Sequence, residues 1–399
     1  MAEFTEIKKL NELIKDYIAG EVVEQRVERL VPAGENYGSV LYKVDFKVKF
    51  NGIVKPFYGV AKCTPPNKVT QEIFATQVSF KTEIGWYTTV IPTLKMFQRI
   101  HEVAAVDFFQ NFYGARISLD PNSDVVDEDG VILTQNLNTL GYKNVDRHTG
   151  FDLKTSKSVL RDLATFHAIP WAIKRQNPNL FNRNILPFLP KTERILEKSD
   201  PFASIRKGLK DIPELQPYLE KVFHIFESND LFDESEPDEL WGSVGHGDFW
   251  SNNIMVTEDE DPKTIILDLQ EPCYASIAAD IIFLAVISIN LEVAKTHLDY
   301  LIEGYWINFL MNVRELGCDI RPLTFQRFLD ELKVQAKKQL GHAMFISQFV
   351  YMEKGHTAID SSDETFTRDN LKFDNIKFGK THKERYTWVI QEFNKRNWI

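Results

Sequence analysis

The sequence has few cysteines. Cys63, Cys273 and Cys318 are spread over 399 residues, and no two form a CxxC pair. That spacing excludes a disulfide framework and a cysteine zinc site, and a reducing, cytoplasmic setting is expected. Positive charge is also short: 47 basic side chains face 57 acidic ones, a net charge of −10. Duplex-binding proteins carry a basic patch or a high pI, so nucleic acid is not an expected partner. Long apolar runs are missing as well. The most apolar stretch, IIFLAVISI at 281–289, is too short to span a bilayer and follows Asp280, so it predicts a buried helix and no membrane span. The first twenty residues lack the apolar core of a secretory signal; they place Leu10, Leu13, Ile14 and Tyr17 on one helical face. No internal repeat or low-complexity segment is present.

The hydrophobic content, 43% of the chain, is enough for a large core. Val40, Tyr42, Val44, Phe46, Val48 and Phe50 alternate with mostly polar residues, the period of a half-buried strand. Asn51-Gly52 follows, a strong hairpin signal, and then a second strand, IVKPFYGVAK, ending at Lys62. Pro56 places the early part of that strand at an edge or a bulge. From Val69 to Val90 the spacing of Ile73, Phe80, Ile84 and Tyr87 becomes helical, with Glu83 at the edge of the apolar face. NFYGAR and GVILTQNL read as further strands. After Leu137 the chain is mainly helical, apart from two short strands, NIMV and TIILDLQ, around the acidic turn TEDEDPK.

Four pieces of this pattern carry chemistry. GENYGSV at 34–40 is a glycine-bearing turn before the first strand, which fits phosphate contact by backbone amides and an ordinary hairpin turn equally well. Lys62 and Glu83 lie on neighbouring elements; alone they fit a structural salt bridge as well as a pair that aims an ammonium at phosphate oxygens. The fourth piece shifts the balance. His246-x-Asp248, then Asn253 five residues after Asp248, then Asp268 after the strand TIIL, sets two carboxylates and an amide at adjacent strand ends. Phosphoryl transfer from ATP uses one Asp to accept or orient the hydroxyl proton, and an Asn with a second Asp to hold magnesium. Oxygen-only ligands suit that hard ion.

HGDFWSNNIMV followed by ILDLQ resembles the core motif of the choline-kinase and aminoglycoside-phosphotransferase group. With GENYGSVLYKV, VAK, FKTEIGWYTTVIP, NLNTLGY and DLATFHA, the chain is most similar to its insect-rich branch, the ecdysteroid kinase-like family, from about residue 30 to about 350. The resemblance implies an α+β, two-lobed protein-kinase-like fold. A small mixed sheet with one prominent helix would form an ATP-binding lobe over residues 1–135. A larger, mainly helical lobe over 136–399 would carry the catalytic loop, metal site and acceptor site. It also implies Asp248 as catalytic base, Asn253 and Asp268 as magnesium ligands, and Lys62 with Glu83 as the phosphate lysine and its partner. Gly34, Asn36, Gly38, Ser39, Gln135 and Leu137 would be further contacts to ATP.

Gly247 stands where protein kinases carry an arginine that pairs with a phosphorylated activation loop, and EPCYASIAAD leaves no room for such a loop after Asp268. Gln135 and Asn136 stand where the family often has an acidic pair, and Leu269 replaces its usual Phe. The implied partners are ATP and a small-molecule alcohol, an ecdysteroid first. A choline-like or xenobiotic acceptor, or a non-catalytic ligand-binding role, remains open. Met344, Phe345, Phe349, Tyr351 and Met352 are candidates for an apolar acceptor wall, although a core role suits them better. His342 suits a packed or surface position better than a catalytic one.

Overall fold

The computed structural model describes residues 6–30, 38–190, 200–228, 236–352, 367 and 376–399. Gly34 and Asn36 lie outside them. The first half is a five-stranded sheet in the order β1-β2-β3-β5-β4, made of β1 (Glu21–Arg29), β2 (Val40–Phe50), β3 (Ile53–Cys63), β4 (Phe112–Arg116) and β5 (Val131–Gln135). Every pairing in it is antiparallel, where a mixed sheet was expected. The chain crosses from β3 through helices to β4, which runs parallel to it, and β5 then inserts between the two, antiparallel to both.

The β2–β3 hairpin turns at Asn51 and Gly52, with φ of 50° and 79°, the left-handed pair that matches strand twist. Pro56 pairs with Lys47 on one side only, because β5 joins β3 from Gly59 onward. The missing amide of Pro56 therefore breaks no ladder. The short helix α1 (Leu10–Ile14) buries Leu10, Leu13 and Ile14 with Val44, Phe46 and Leu133 of the sheet; Tyr17 stays half exposed.

The helix expected over 69–90 is broken. α2 (Lys68–Ile73), capped by Asn67, is separated from α3 (Thr76–Gly85) by Ala75, whose φ is 44°. No glycine or proline marks that break, so the apolar spacing runs across it. α3 passes through one wide turn (Trp86–Val90) into α4 (Ile91–Ile100). Pro92 has no amide to close a regular bond to the preceding turn, a standard cause of such widening. Trp86 stacks on Phe166 of α5 (Leu153–Gln176), centroids 5.7 Å apart. The helices next to the sheet thus share the core of the second half, across the expected boundary at 135/136.

That second half contains β6 (Lys143–Asn144), α6 (Pro178–Asn184), α7 (Ala203–Lys210), α8 (Leu219–Ser228), β7 (Gly242–Gly245), β8 (Ile254–Val256), β9 (Thr264–Ile266) and β10 (Cys273–Ser276). Then follow α9 (Ala279–Ile287), α10 (Leu291–Glu315), α11 (Phe325–Val350) and α12 (Lys380–Lys395). β6, β8 and β9 form one small antiparallel sheet, and β7 pairs with β10. Every residue of α9 is buried, as its apolar sequence predicts. Among the described residues no helix is long and apolar enough to cross a membrane.

The core role is the right one for most of the suggested acceptor wall. Met344, Phe345 and Tyr351 are buried in the main core, and the Tyr351 hydroxyl donates to the Ile287 carbonyl at 2.5 Å. Phe349 and Met352 are half-buried. His342 stacks on Phe283, centroids 4.9 Å apart.

Gly85 is fixed by packing. A Cβ there would lie 2.0 Å from the Phe188 ring. The Phe188 carbonyl accepts from Trp86 Nε1 at 3.1 Å, which holds that ring's backbone in place. Gly85→Ala gains helix propensity, about 1 kcal/mol, but overpacking costs about 1–3 kcal/mol. The expected result is a lower urea midpoint at unchanged slope; a midpoint at or above wild type would show that Phe188 yields freely.

Candidate active site

The sheet register delivers the first pieces. Leu41 lies opposite Lys62 and Val40 opposite Cys63, so Gly38 and Ser39, just before β2, sit at the Lys62 end of the sheet. Ser39 is buried. Lys62 Nζ is 2.5 Å from Glu83 Oε2 on α3 and 2.6 Å from Asp268 Oδ1 beyond β9. One ammonium therefore joins the sheet, the adjacent helix and the second half. Burial disfavours its charge, but Asp268 and Glu83 outweigh this and raise its pKa. Burial pushes Glu83 upward, and Lys62 offsets only part of that shift.

Asp268 follows β9 in the left-handed region, φ 60°, which aspartate tolerates better than most residues. Its Oδ2 accepts from Gln270 Nε2 at 3.3 Å. Backbone bonds align the facing loop: the Leu267 amide donates to the Asn253 carbonyl at 2.8 Å, and β8 pairs with β9. Asn253 Nδ2 donates to the Asp248 carbonyl at 2.9 Å and to Asp248 Oδ2 at 2.8 Å. That pinning leaves Asn253 Oδ1 without a hydrogen-bond partner among the described residues. Trp250 Nε1 also donates to Asp248 Oδ2, at 3.1 Å, so the other carboxylate oxygen, Oδ1, stays open. Burial pushes Asp248 up to about 6, with Asp268 adding to the shift.

The loop that carries Asp248 hangs from α9. Asp280 Oδ2 accepts the His246 amide at 2.7 Å and His167 Nε2 at 3.1 Å; its Oδ1 accepts the Gly247 amide at 3.2 Å. His246 Nε2 donates to the Leu267 carbonyl at 2.8 Å, which ties the loop to the Asp268 strand. Gly247 has φ 79°, and a Cβ there would lie 2.3 Å from the Glu271 carbonyl oxygen. An arginine at this position is therefore barred by the backbone itself.

At the junction of the two halves, Gln135 turns inward. Its amide donates to the Asn111 carbonyl at 2.8 Å, its carbonyl accepts from Gln110, and its side chain accepts from Asn111. The Leu137 amide makes no such bond among the described residues. Leu137 packs with Met255 and Ile265 in a small apolar cluster separate from both cores. Sequence reasoning missed Trp250, Met255 and Asp280 as parts of this site; only Trp250, inside HGDFWSNN, carried a local signal.

The oxygens present fit a magnesium ion. Asn253 Oδ1 and Asp268 Oδ2 are hard donors, and magnesium commonly takes one or two protein ligands, with waters and phosphates completing its shell. Among the described residues no cluster of three or more His, Cys, Asp or Glu offers a competing metal cage.

A two-lobed fold of this kind, with sheet and helical halves joined through a lysine, is protein-kinase-like. The chain belongs to the ecdysteroid kinase-like family, whose model matches residues 33–318. It is accordingly an ATP-dependent phosphotransferase with an alcohol group as acceptor. No match is found among curated proteins. Similar solved structures include an ethanolamine kinase of Plasmodium vivax, at 13% identity over 96% of this chain and 86% of that one, TM-score 0.42. A microcompartment-associated aminopropanol kinase is 9% identical over 92% and 93%, TM-score 0.48. A choline kinase of Streptococcus pneumoniae is 13% identical over 94% of each chain, TM-score 0.40.

Asp280 is held below the ordinary carboxylate range: burial opposes its charge, but the His167 and His246 bonds outweigh it. An unfolded Asp titrates near ~3.9. Its contribution to stability is therefore fully present above that value and fades as the pH falls through the depressed folded pKa. Asp280→Asn should cost on the order of 3 kcal/mol at neutral pH, the scale of several charge-assisted bonds. The gap to wild type should narrow below about pH 4 in urea titrations. A gap that widens in acid would refute the assignment.

Proposed function

We propose that this protein transfers the γ-phosphoryl group of ATP to a hydroxyl of a lipophilic alcohol, an ecdysteroid being the first candidate. The observation that carries the reading is the joined set Lys62, Asp268, Asn253 and Asp248, with one open oxygen on each of the last two. Lys62, held by Glu83, would bind the phosphates, with Gly38 and Ser39 at the same end of the sheet. Gly34 and Asn36 keep their proposed place in the phosphate turn. The Leu137 amide and the apolar cluster beneath it would hold the adenine, and Gln135, its backbone and Oε1 engaged by Asn111 and Gln110, would line the hinge beside the base. Residues up to 135 would then chiefly bind nucleotide, and those from 136 would carry the chemistry.

Asp248 Oδ1 would receive the hydroxyl proton as the acceptor oxygen bonds to the γ-phosphorus and the bond to the ADP oxygen breaks. Asn253 and Trp250 hold Oδ2 and so orient the base. A pKa near 6 leaves Asp248 mostly ionised at neutral pH and able to take the proton. Asn253 and Asp268 would hold magnesium, which supplies charge neutralisation at the transferring phosphate. The steroid acceptor is supported by the family alone, since Met344, Phe345 and Tyr351 belong to the core.

Two measurements test the reading. Purified protein with ATP and magnesium, offered ecdysteroids, sterols, phenolic glucosides and choline, should add one phosphate to an ecdysteroid, read by mass spectrometry. Asp248→Asn should lower that turnover about a hundredfold or more at near-normal ATP affinity; turnover within a few-fold of wild type would remove Asp248 from the role of base. Efficient phosphorylation of choline and of no ecdysteroid would overturn the acceptor while leaving the kinase chemistry in place. By calorimetry, Asp268→Ala should lose most of the magnesium dependence of ATP binding. An unchanged magnesium response would place the ion elsewhere.

A further inference from the structure

A second polar cluster lies around the buried Tyr351 ring, where the end of α11 meets α12, and the kinase chemistry does not use it. Gln348, one turn before Tyr351, is fully buried, yet neither its Nε2 nor its Oε1 has a hydrogen-bond partner among the described residues. Arg385 on α12 is 3% exposed, with its guanidinium carbon 5.7 Å from the Tyr351 centroid. Its Nη2 donates to the Ile289 carbonyl at 2.7 Å, but Nε and Nη1 are buried and unpartnered among the described residues. The His148 ring packs edge-on to Tyr351, centroids 6.4 Å apart, and its Nε2 is likewise buried without a partner among the described residues. His382 closes the group, 5.8 Å from Tyr351, donating through Nε2 to the Gln348 carbonyl at 3.0 Å.

Such gaps are costly. A buried donor left unmade loses about 1–3 kcal/mol, and more when it is charged, so unpartnered groups gathered on one side chain call for a missing partner. Arginine keeps its charge in proteins. No carboxylate among the described residues pairs with Arg385. Asp146, the nearby acid in sequence, accepts from the amides of His148 and Thr149 in its own turn, and Arg147 donates to the Phe349 and Met352 carbonyls. Among the described residues the local excess of charge is positive. Water would satisfy donors but would leave the guanidinium without a counter-charge.

We propose that Arg385, Gln348 and His148 form an oxyanion-binding site for a group that also carries one hydroxyl. The guanidinium offers unmet donors at Nε and at Nη1, which face different edges of its plane, so each makes a single charge-assisted bond to an oxyanion oxygen. Gln348 adds a donor through Nε2 and an unmet acceptor through Oε1, and the acceptor is matched by a hydroxyl of the ligand. Hydrogen phosphate, a phosphate monoester monoanion and a 2-hydroxy carboxylate share that chemistry. Its walls rest on the end of α9, where Tyr351 and Arg385 bond to the Ile287 and Ile289 carbonyls, and none of its side chains bonds to Lys62 or Asp268 among the described residues.

The test uses the full chain and titrates inorganic phosphate, lactate, acetate and chloride at constant ionic strength. The readouts are the ¹⁵N–¹H resonance of Arg385 Nε and the thermal midpoint. Phosphate or lactate should move the resonance saturably and raise the midpoint, binding about tenfold or more tighter than acetate, which lacks the hydroxyl, a difference of about 1.4 kcal/mol. Response to phosphate alone would assign a phosphate-bearing ligand, and response to lactate alone a hydroxy acid. Gln348→Leu and Arg385→Gln should abolish the response; Gln348→Leu carries the test where the arginine variant does not fold. Lys62→Met should leave it intact, which separates this site from phosphate bound at the nucleotide position. The proposal is overturned if none of the oxyanions gives a saturable response, if acetate matches lactate and phosphate, if Gln348→Leu responds as wild type does, or if Lys62→Met abolishes the effect.

Discussion

The geometry of the loop carrying Asp248 depends on one buried carboxylate. Asp280 enters at the start of a helix with no exposed residue, where an isolated charge would be strongly disfavoured. It is tolerated because the His246 and Gly247 amides and the His167 ring all donate to it. Those bonds suspend the loop carrying Asp248 from the most deeply buried helix of the protein. His167 in turn bonds through Nδ1 to the Tyr305 hydroxyl at 2.7 Å, so α5, α9 and α10 converge on one point. The loop is positioned by core packing rather than by its own short sequence.

A second constraint joins the two halves. Lys62 satisfies Glu83 and Asp268 together, and burial pushes the Glu83 carboxyl upward. Removing the ammonium would leave two carboxylates facing low dielectric with nothing between them, the expensive way to break a buried pair. The lysine proposed to meet phosphate is thus also what holds Asp268 toward the sheet before any nucleotide arrives. A bound polyanion would compete for the same ammonium, and a cation at Asp268 would compensate the carboxylate released. Nucleotide and metal are therefore expected to bind as a linked pair.

Much of this was legible because it is local. The β2–β3 hairpin is announced by alternation and Asn51-Gly52, and the Asp248–Asn253–Asp268 order is fixed by short strands that leave those residues at their ends. What escaped depends on contacts distant in sequence. β1 is mostly exposed and shows no clean alternation. Ala75 breaks a helix without a breaker residue. Asp280 reads as a lone acid before an apolar run, and its partners lie 34 and 113 residues away. Gln348 and Arg385 look like ordinary amphipathic-helix residues; only the packing of α11 against α12 shows that neither has the partners its burial demands.

Gly247 shows how one backbone constraint rearranges regulation. Where protein kinases place an arginine to read a phosphorylated loop, this chain needs a residue without Cβ, because φ is 79° and the Glu271 carbonyl lies too close. That carbonyl is close because the chain after Asp268 turns back at once: Cys273 already pairs with Gly245, and α9 begins at Ala279. The β7–β10 pair does by permanent backbone hydrogen bonding what a phosphorylated segment does conditionally, fixing the chain after Asp268 against the loop that carries Asp248. Glycine at 247 and the short return are therefore two faces of one solution. A longer segment would free the carbonyl and admit a side chain, but it would also release the loop from the clamp that sets its geometry.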